Sequence, residues 1–382
     1  MVPRLDLLFR PSFYRLVFRD LFRVKYPVHD NSVHLDETMN WLRRSQDVTG
    51  CHGSSAFYRL LMGWAGPYPE TTGYLISTFL KHAKLTGLDD LRERAIMFGK
   101  WEMDIQLPSG AVRGGFGINE FPIVFNTGMV IFGWVDLFDE TGEEVYREAA
   151  VKAADWLCEV QDSDGKWSRH TFLDKPHAYH SRVTWSILGV HRITGEQKYM
   201  DAAVKNIRWV HANMEGNGWV KHMSFYPTKD PLTHTICYTI RGMLECSEFI
   251  DGDLKAQTRE WVISVSGILL DLYREHGHLP GRINTEWKSG AKFECVTGNA
   301  QMAIIWLKVY RWTGERKFYE GASDIITQVK ETQDIHCKID GVRGAISGSH
   351  PLWGSYLAYS YPNWGAKFFA DALMLLDECK QE

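Results

Sequence analysis

Residues 141–167 read TGEEVYREAAVKAADWLCEVQDSDGKW. A Thr-Gly turn is followed by acidic residues, then by a helical run with one polar stripe, then by a Gly-containing segment from Gln161 to Trp167. The pattern recurs. KLTGLDDLRERAIMFGKWEMDIQLPSGAV begins at Lys84, RITGEQKYMDAAVKNIRWVHANMEGNGWV at Arg192 and RWTGERKFYEGASDIITQVKETQDIHCKIDGV at Arg311. A looser copy, FIDGDLKAQTREWVISVSGILLDLYREHGHL, begins at Phe249. Successive copies lie roughly 55 residues apart, room for a helix pair and a loop.

Each copy is preceded by a segment apolar nearly all round: TTGYLISTFLKHA, NTGMVIFGWVDLF, RVTWSILGVHR, THTICYTIRGML and TGNAQMAIIWLKVY. A helix apolar on every side is buried, and one with a polar stripe is peripheral. Glycine at the turn supplies a left-handed C-cap, and the acidic residues after it suit a helix N-terminus. The repeating order is inner helix, short turn, outer helix, long loop. Inner helices are predicted near Glu70, Asn126, His180, His234, Gly298 and Tyr361. Five outer helices follow the turns, and DETMNWLRRSQ near Asp36 supplies the sixth as partner of the C-terminal NWGAKFFADALMLLDEC. The reading is an all-α, closed (α/α)6 toroid over residues 31–382, with long loops on one face and a basic amphipathic segment over residues 1–30.

The bulk numbers narrow the function. The net charge is −4, so no basic excess offers the phosphate term that nucleic-acid binding needs. Aromatics make up 13% of the 382 residues, which suits either a large core or an aromatic-lined cleft. The seven cysteines are scattered and never spaced as CxxC, as expected of reduced thiols in a cytoplasmic protein. No HExxH-type spacing is present, and neither a metal nor a cofactor is expected. In LFRPSFYRLVFRDLFRVKYP, Arg15, Arg19 and Arg23 share one helix face, opposite Phe13, Tyr14, Val17, Leu21 and Val24. Such a helix either packs its apolar face on the body or lies on an anionic membrane through residues 8–25; packing is the commoner outcome.

In a toroid of this order the Thr-Gly face has turns too short to carry a site. The other face gathers the long loops and the N-termini of all six inner helices, a field that favours anionic groups. Glu70, beside Trp64 and Tyr74, is the expected general acid, and Glu286 its weaker partner base. His180 and His234, at matched inner-helix starts, are expected to position substrate. Asn126, Tyr226, Arg282, Trp287, Asn299, Trp353, Tyr361 and Trp364 complete the candidate binding set, with Arg282 for an acidic group. Carboxyls for proton transfer, aromatic planes for sugar C–H faces and Arg for carboxylate or phosphate together point to carbohydrate.

WLCEVQDSDGKW (Trp156–Trp167) resembles the Gln-Trp repeat of triterpene cyclases, which are also α/α toroids. Squalene–hopene-type cyclases protonate substrate from a DxDD motif that this chain lacks; its one Asp-Asp pair, Asp89-Asp90, belongs to the short-turn face. YPETTGYLI, VFNTGMVIFGW, LTHTICYTIRGMLE, CVTGNAQMAIIWL and YPNWGAKFFADALM resemble toroid proteins encoded among bacterial and archaeal exopolysaccharide genes. That resemblance implies polysaccharide biosynthesis, and an aspartate in place of Asn126. More distantly, the architecture is similar to six-hairpin glycosidases, unsaturated glucuronyl hydrolases, alginate-type lyases and sugar 2-epimerases. The leading expectation is a glycoside hydrolase acting on an acidic or lipid-linked glycan. Uronic-acid elimination or epimerisation, with a His or Tyr226 as base, is the alternative. A non-catalytic glycan-binding scaffold and, last, a terpene cyclase remain open.

Overall fold

The computed structural model describes residues 3–115 and 119–381, so the part of the second loop at 116–118 and the extreme ends of both predicted segments lie outside the described residues. Helix α1 (Pro11–Leu21) precedes the repeat and α2 (Asn31–Asp47) opens it. The inner helices are α3 (Pro69–Thr86), α5 (Val124–Thr141), α7 (Ser181–Thr194), α9 (Thr233–Cys246), α11 (Val296–Thr313) and α13 (Asn363–Gln381). The outer helices are α2, α4 (Asp89–Asp104), α6 (Glu144–Glu159), α8 (Gln197–Ala212), α10 (Gly252–His276) and α12 (Arg316–Lys330). Every inner helix starts within three residues of its predicted position.

Local chemistry explains the hairpins. α3, α5, α7 and α11 each end at a glycine with φ of 70–73°, whose N–H returns to the carbonyl four residues back. α9 departs from this: it ends at Ser247, and the turn glycine, Gly252, comes later, which is why that copy looked looser. The inner helices pack side by side from α3 round to α13, and α13 returns to α3 and α2, closing the ring. Two side-chain bonds hold the closure, Thr78 Oγ1 to Asp371 Oδ1 at 2.8 Å and Asn31 Nδ2 to Asp377 Oδ1 at 2.5 Å. The Gly in the repeated Thr-Gly of the inner helices permits close crossing: a Cβ on Gly73 would sit 2.4 Å from the Val130 backbone.

The Gln-Trp element is structural. Gln161 Nε2 donates to the carbonyls of Gly165, in its own loop, and Ala202, in α8, both at 3.0 Å. Gln106 does the same with Gly110 and Ala149 at 2.8 and 3.1 Å, so one clamp ties successive outer helices together. Trp167 is fully buried and donates to Leu157 O at 2.9 Å.

On the long-loop face five short strands pin the loops: β1 (Phe57–Arg59), β2 (Gly63–Trp64), β3 (Glu294–Cys295), β4 (Ser349–His350) and β5 (Ser360–Pro362). β1 pairs antiparallel with both β2 and β5, and β3 with β4.

Helix α1 does not bury its apolar face. Leu16 is its one fully buried residue, while Tyr14, Phe18, Leu21 and Phe22 are each 58–62% exposed. The polar side docks instead: Asp20 accepts from the Leu352 N–H at 2.9 and 3.0 Å, Arg19 lies 4.4 Å from the Tyr26 ring, and Arg23 donates to Lys292 O. The expected packing is therefore inverted: hydrogen bonds hold the polar side to the body, and the apolar side faces out. No helix among the described residues is long and apolar enough to cross a membrane.

Candidate functional site

A cavity of about 510 Å³ opens on the long-loop face at the ring axis. Its polar groups stand at inner-helix starts. Glu70 is in the first turn of α3, Asn126 in that of α5, His180 immediately before α7, and His234 in the first turn of α9. An aromatic residue lies one or two positions before three of them: Tyr68 before Glu70, Phe125 before Asn126 and Tyr179 before His180. These rings, with Phe172, Phe225, Tyr238, Tyr356 and Trp364, form the wall. The rings pack on one another: Phe125 to Tyr238 at 5.3 Å, His234 to Tyr238 at 4.3 Å and His234 to Tyr356 at 5.2 Å between centroids.

Glu70 accepts a short hydrogen bond from the Tyr68 hydroxyl. Burial raises its pKa to about 7, while Tyr68 and the nearby Arg182 charge pull the other way. The carboxyl can therefore hold or release a proton near neutrality. His234 Nδ1 lies 2.6 Å from the Gln301 amide, which leaves Nε2 to meet a ligand. Burial, reinforced by Arg182, lowers the His234 pKa to about 3. Burial also takes His180 well below the ordinary value, and its Nδ1 has no hydrogen-bond partner among the described residues. Both imidazoles are neutral at physiological pH, acting as hydrogen-bonding groups and not as cations. Asn126 is oriented by donating to Arg113 O at 2.8 Å, and Trp364 Nε1 donates to the Tyr356 hydroxyl at 2.7 Å.

Of the residues expected at the site, the cavity gathers Glu70, His180, His234, Asn126, Tyr226 and Trp364. The others stand elsewhere. Glu286 is exposed on a loop and paired with Lys288 at 3.0 Å, so it is no partner carboxyl. Arg282 is drawn to the backbone of Asp230 at 2.5 Å, where its loop bridges Leu232. Trp287 is buried against Trp219 and donates to Asn217 O. Asn299 donates to Glu294 at 3.0 Å. Trp64 packs on Trp41 and Tyr58, and Tyr361 is buried in β5. Tyr74 lies deeper along the axis, and Trp353 is 44% exposed outside the cavity. The loop charges Arg113, Arg282, Glu286 and Glu294 turn to backbone, to Lys288 or to Asn299 and not to the cavity, whose wall is mainly aromatic. Among the described residues Glu70 is the one carboxyl lining it, and no Arg or Lys lines it.

The chain's fold is that of the six-hairpin toroid enzymes. An unsaturated glucuronyl hydrolase specific for heparin superposes with a TM-score of 0.70 at 11% identity, covering 91% of this chain and 97% of that one. A sugar epimerase from a ruminal bacterium superposes at 0.72 and 13% identity, with 90% and 97% covered. A polysaccharide lyase superposes at 0.64 and 11% identity, with 92% and 98% covered. By sequence, residues 65–244 match the squalene-hopene cyclase C-terminal domain. No curated protein matches the chain by sequence. The chain thus bears distant likeness to both toroid groups, and the structural likenesses speak to fold alone.

Proposed function

We propose that the chain is a carbohydrate-active enzyme that transfers a proton beside a sugar carbonyl, as in epimerisation or isomerisation. The observation that carries this is one carboxyl titrating near neutrality beside two neutral imidazoles, all on one aromatic cavity. An imidazole with a pKa near 3 is a poor base at pH 7 but a good neutral donor to an oxygen gaining negative charge. Glu70 then takes the proton from the carbon beside the carbonyl and delivers it to the neighbouring carbon, or to the opposite face of the same carbon once the enediolate has turned, while His234 and His180 donate to the enediolate oxygens and the rings cover the sugar's C–H faces. Two-carboxylate hydrolysis lacks its second group, since Glu286 is outside the cavity. Uronate elimination and an acidic glycan lose Arg282, the residue that recommended them. The overlap in fold with sugar epimerases and glucuronyl hydrolases supports the substrate class.

The test is incubation with reducing disaccharides and uronic-acid oligosaccharides in deuterated water, read by NMR. Deuterium should enter at the carbon next to the carbonyl and be lost in Glu70→Gln. New reducing ends without deuterium would mean hydrolysis, and a new conjugated-uronate absorbance would mean elimination. Saturable glycan binding without any turnover would mean a scaffold. Each of these overturns the reading.

A second reading has its own support. A predominantly aromatic cavity with a single protonatable carboxyl, in a chain whose residues 65–244 match a cyclase domain, also suits protonation of an isoprenoid double bond. Cyclised product from a polyprenyl substrate would establish it.

We further propose that α1 rests on an anionic membrane beside the cavity mouth, where a lipid-linked glycan would be presented to a polysaccharide-building system. Phe9 is 87% exposed, and with Phe18, Leu21 and Phe22 it forms an apolar patch beside the exposed Arg15 and Arg23. An open groove lined by Phe13, Val17, Leu61 and Tyr359 runs from α1 toward the loop that carries Tyr356 and Leu357 into the cavity. The seven free thiols suit the cytoplasmic side.

A further inference from the structure

The short-turn face, where the turns themselves are too small to hold a ligand, has a pocket of its own. It opens at the ring axis, is about 360 Å³ in volume, and is walled by the inner helices. Its charge is lopsided: seven Lys and Arg side chains line it against three carboxylates. The pairing shows how much of that charge is already answered. Arg241 and Lys308 share Glu245 at 2.5 and 2.6 Å, Lys81 and Arg311 share Glu378 at 2.6 and 3.3 Å, Arg192 pairs with Asp139 at 2.5 Å, and Lys367 pairs with Asp371. Two of the four carboxylates that make these pairs each serve two cations, so positive charge remains in excess.

Most of these cations stand in the C-terminal halves of inner helices, where a helix dipole favours positive charge, and that alone would explain their presence. Lys367, near the start of α13, is answered by Asp371; the exception without a pair is Arg182. It stands in the first turn of α7, at the end where a dipole disfavours a cation. It is 3% exposed, and among the described residues it forms no ion pair and its Nε has no partner, although the charges of Glu70 and Glu245 reach it from further off. Four rings surround its guanidinium: Tyr238 at 4.8 Å, Trp185 at 5.4 Å, Phe368 at 5.6 Å and Phe132 at 5.7 Å. Cation–π contact offsets a small part of the cost of burying such a charge. A guanidinium without an ion-pair partner, deep in a pocket with excess positive charge, is suited to meet an anion.

We propose that this pocket binds a small phosphate-bearing anion, its phosphate set against Arg182 with Lys367 and Arg241 alongside, on the face opposite the aromatic cavity. Phosphate fits because it offers two charges and several acceptor oxygens to a fork of N–H donors. The volume admits a diphosphate or a phosphorylated sugar and excludes a polymer. The proposal does not rest on the reaction suggested for the aromatic cavity.

Titration calorimetry of the full chain with pyrophosphate, and separately with inorganic phosphate, at constant ionic strength tests it. One saturable site is expected, weakened about tenfold or more in Arg182→Met. Because removing Arg182 could disturb the core, a second variant, Lys81→Gln with Arg192→Gln at the pocket mouth, is measured in parallel and should weaken binding several-fold. Absence of a saturable site with both anions, or affinity unchanged in both variants, would overturn the proposal.

Discussion

Glu70 owes its chemistry to where its helix begins. The carboxyl is one residue inside α3, under rings contributed by other loops, and burial lifts its pKa from 4.5 to about 7. The folded chain then holds this proton more tightly than the unfolded chain does. The associated stability is full below about pH 4.5 and is lost as the pH rises through about 7, by about 3 kcal/mol at most. Glu70→Gln is expected to remove that loss, so thermal melts should show the variant more stable than the parent at about pH 8 and similar at about pH 5. If Glu70 is the base, turnover by the parent should rise with pH through about 7. His234 depends on Gln301 for its orientation. Gln301→Leu should lower kcat about tenfold with little change in KM, as expected of a residue that positions another. An equal loss in both constants, with an unchanged pH profile, would count against that role.

At the scale of the element, the clamp formed by Gln161 predicts an energetic cost that a surface glutamine would not carry. Gln161→Leu removes the side-chain donor that joins the Gly165 and Ala202 carbonyls, leaving Gly165 O to Asn206 Nδ2, and should cost roughly 1 kcal/mol in urea unfolding. Gly73→Val should cost at least as much, since its side chain would meet Val130 backbone at the α3–α5 crossing. Helix α1 predicts the opposite pattern. Phe18→Ser with Phe22→Ser should abolish sedimentation with phosphatidylserine vesicles while leaving the melting temperature unchanged, because both rings are exposed. Its hydrophobic periodicity was legible in the sequence, but not its orientation. A strip of apolar residues says that a face wants cover, whereas the bonds from Asp20 and Arg23 to distant loops decided which face was covered.

Across the whole molecule, closure makes the twelve-helix ring one cooperative body. α2 and α13 come from opposite ends of the chain and are joined by packing and by the Asn31–Asp377 bond. Circular dichroism and tryptophan fluorescence should therefore report a single coincident unfolding transition; separate transitions for the two halves would contradict a closed ring. The repeat itself announced this architecture, for its period, caps and buried or striped helices are all local properties of consecutive residues. Inner-helix starts could also be read, and with them Glu70, Asn126, His180 and His234, because side chains at the N-termini of inner helices must face the same end of the ring. Tyr68, Phe125 and Tyr179, each within two residues of one of these polar groups, carry the same signal in the sequence. What no local pattern carries is the direction in which a long loop folds. Glu286 and Arg282 sit in a loop of suitable composition but turn to Lys288 and to backbone, while Tyr238 enters the cavity from inner helix α9 and Tyr356 from the last long loop. Nor did the short turns foretell the pocket on their own face, which is walled by inner-helix side chains from five hairpins and by the C-terminal helix. The sequence by itself determined the toroid, since helix propensity, capping and hydrophobic period act between near neighbours. Only the tertiary structure decided the sites, since burial, pKa and convergence depend on residues far apart in the chain.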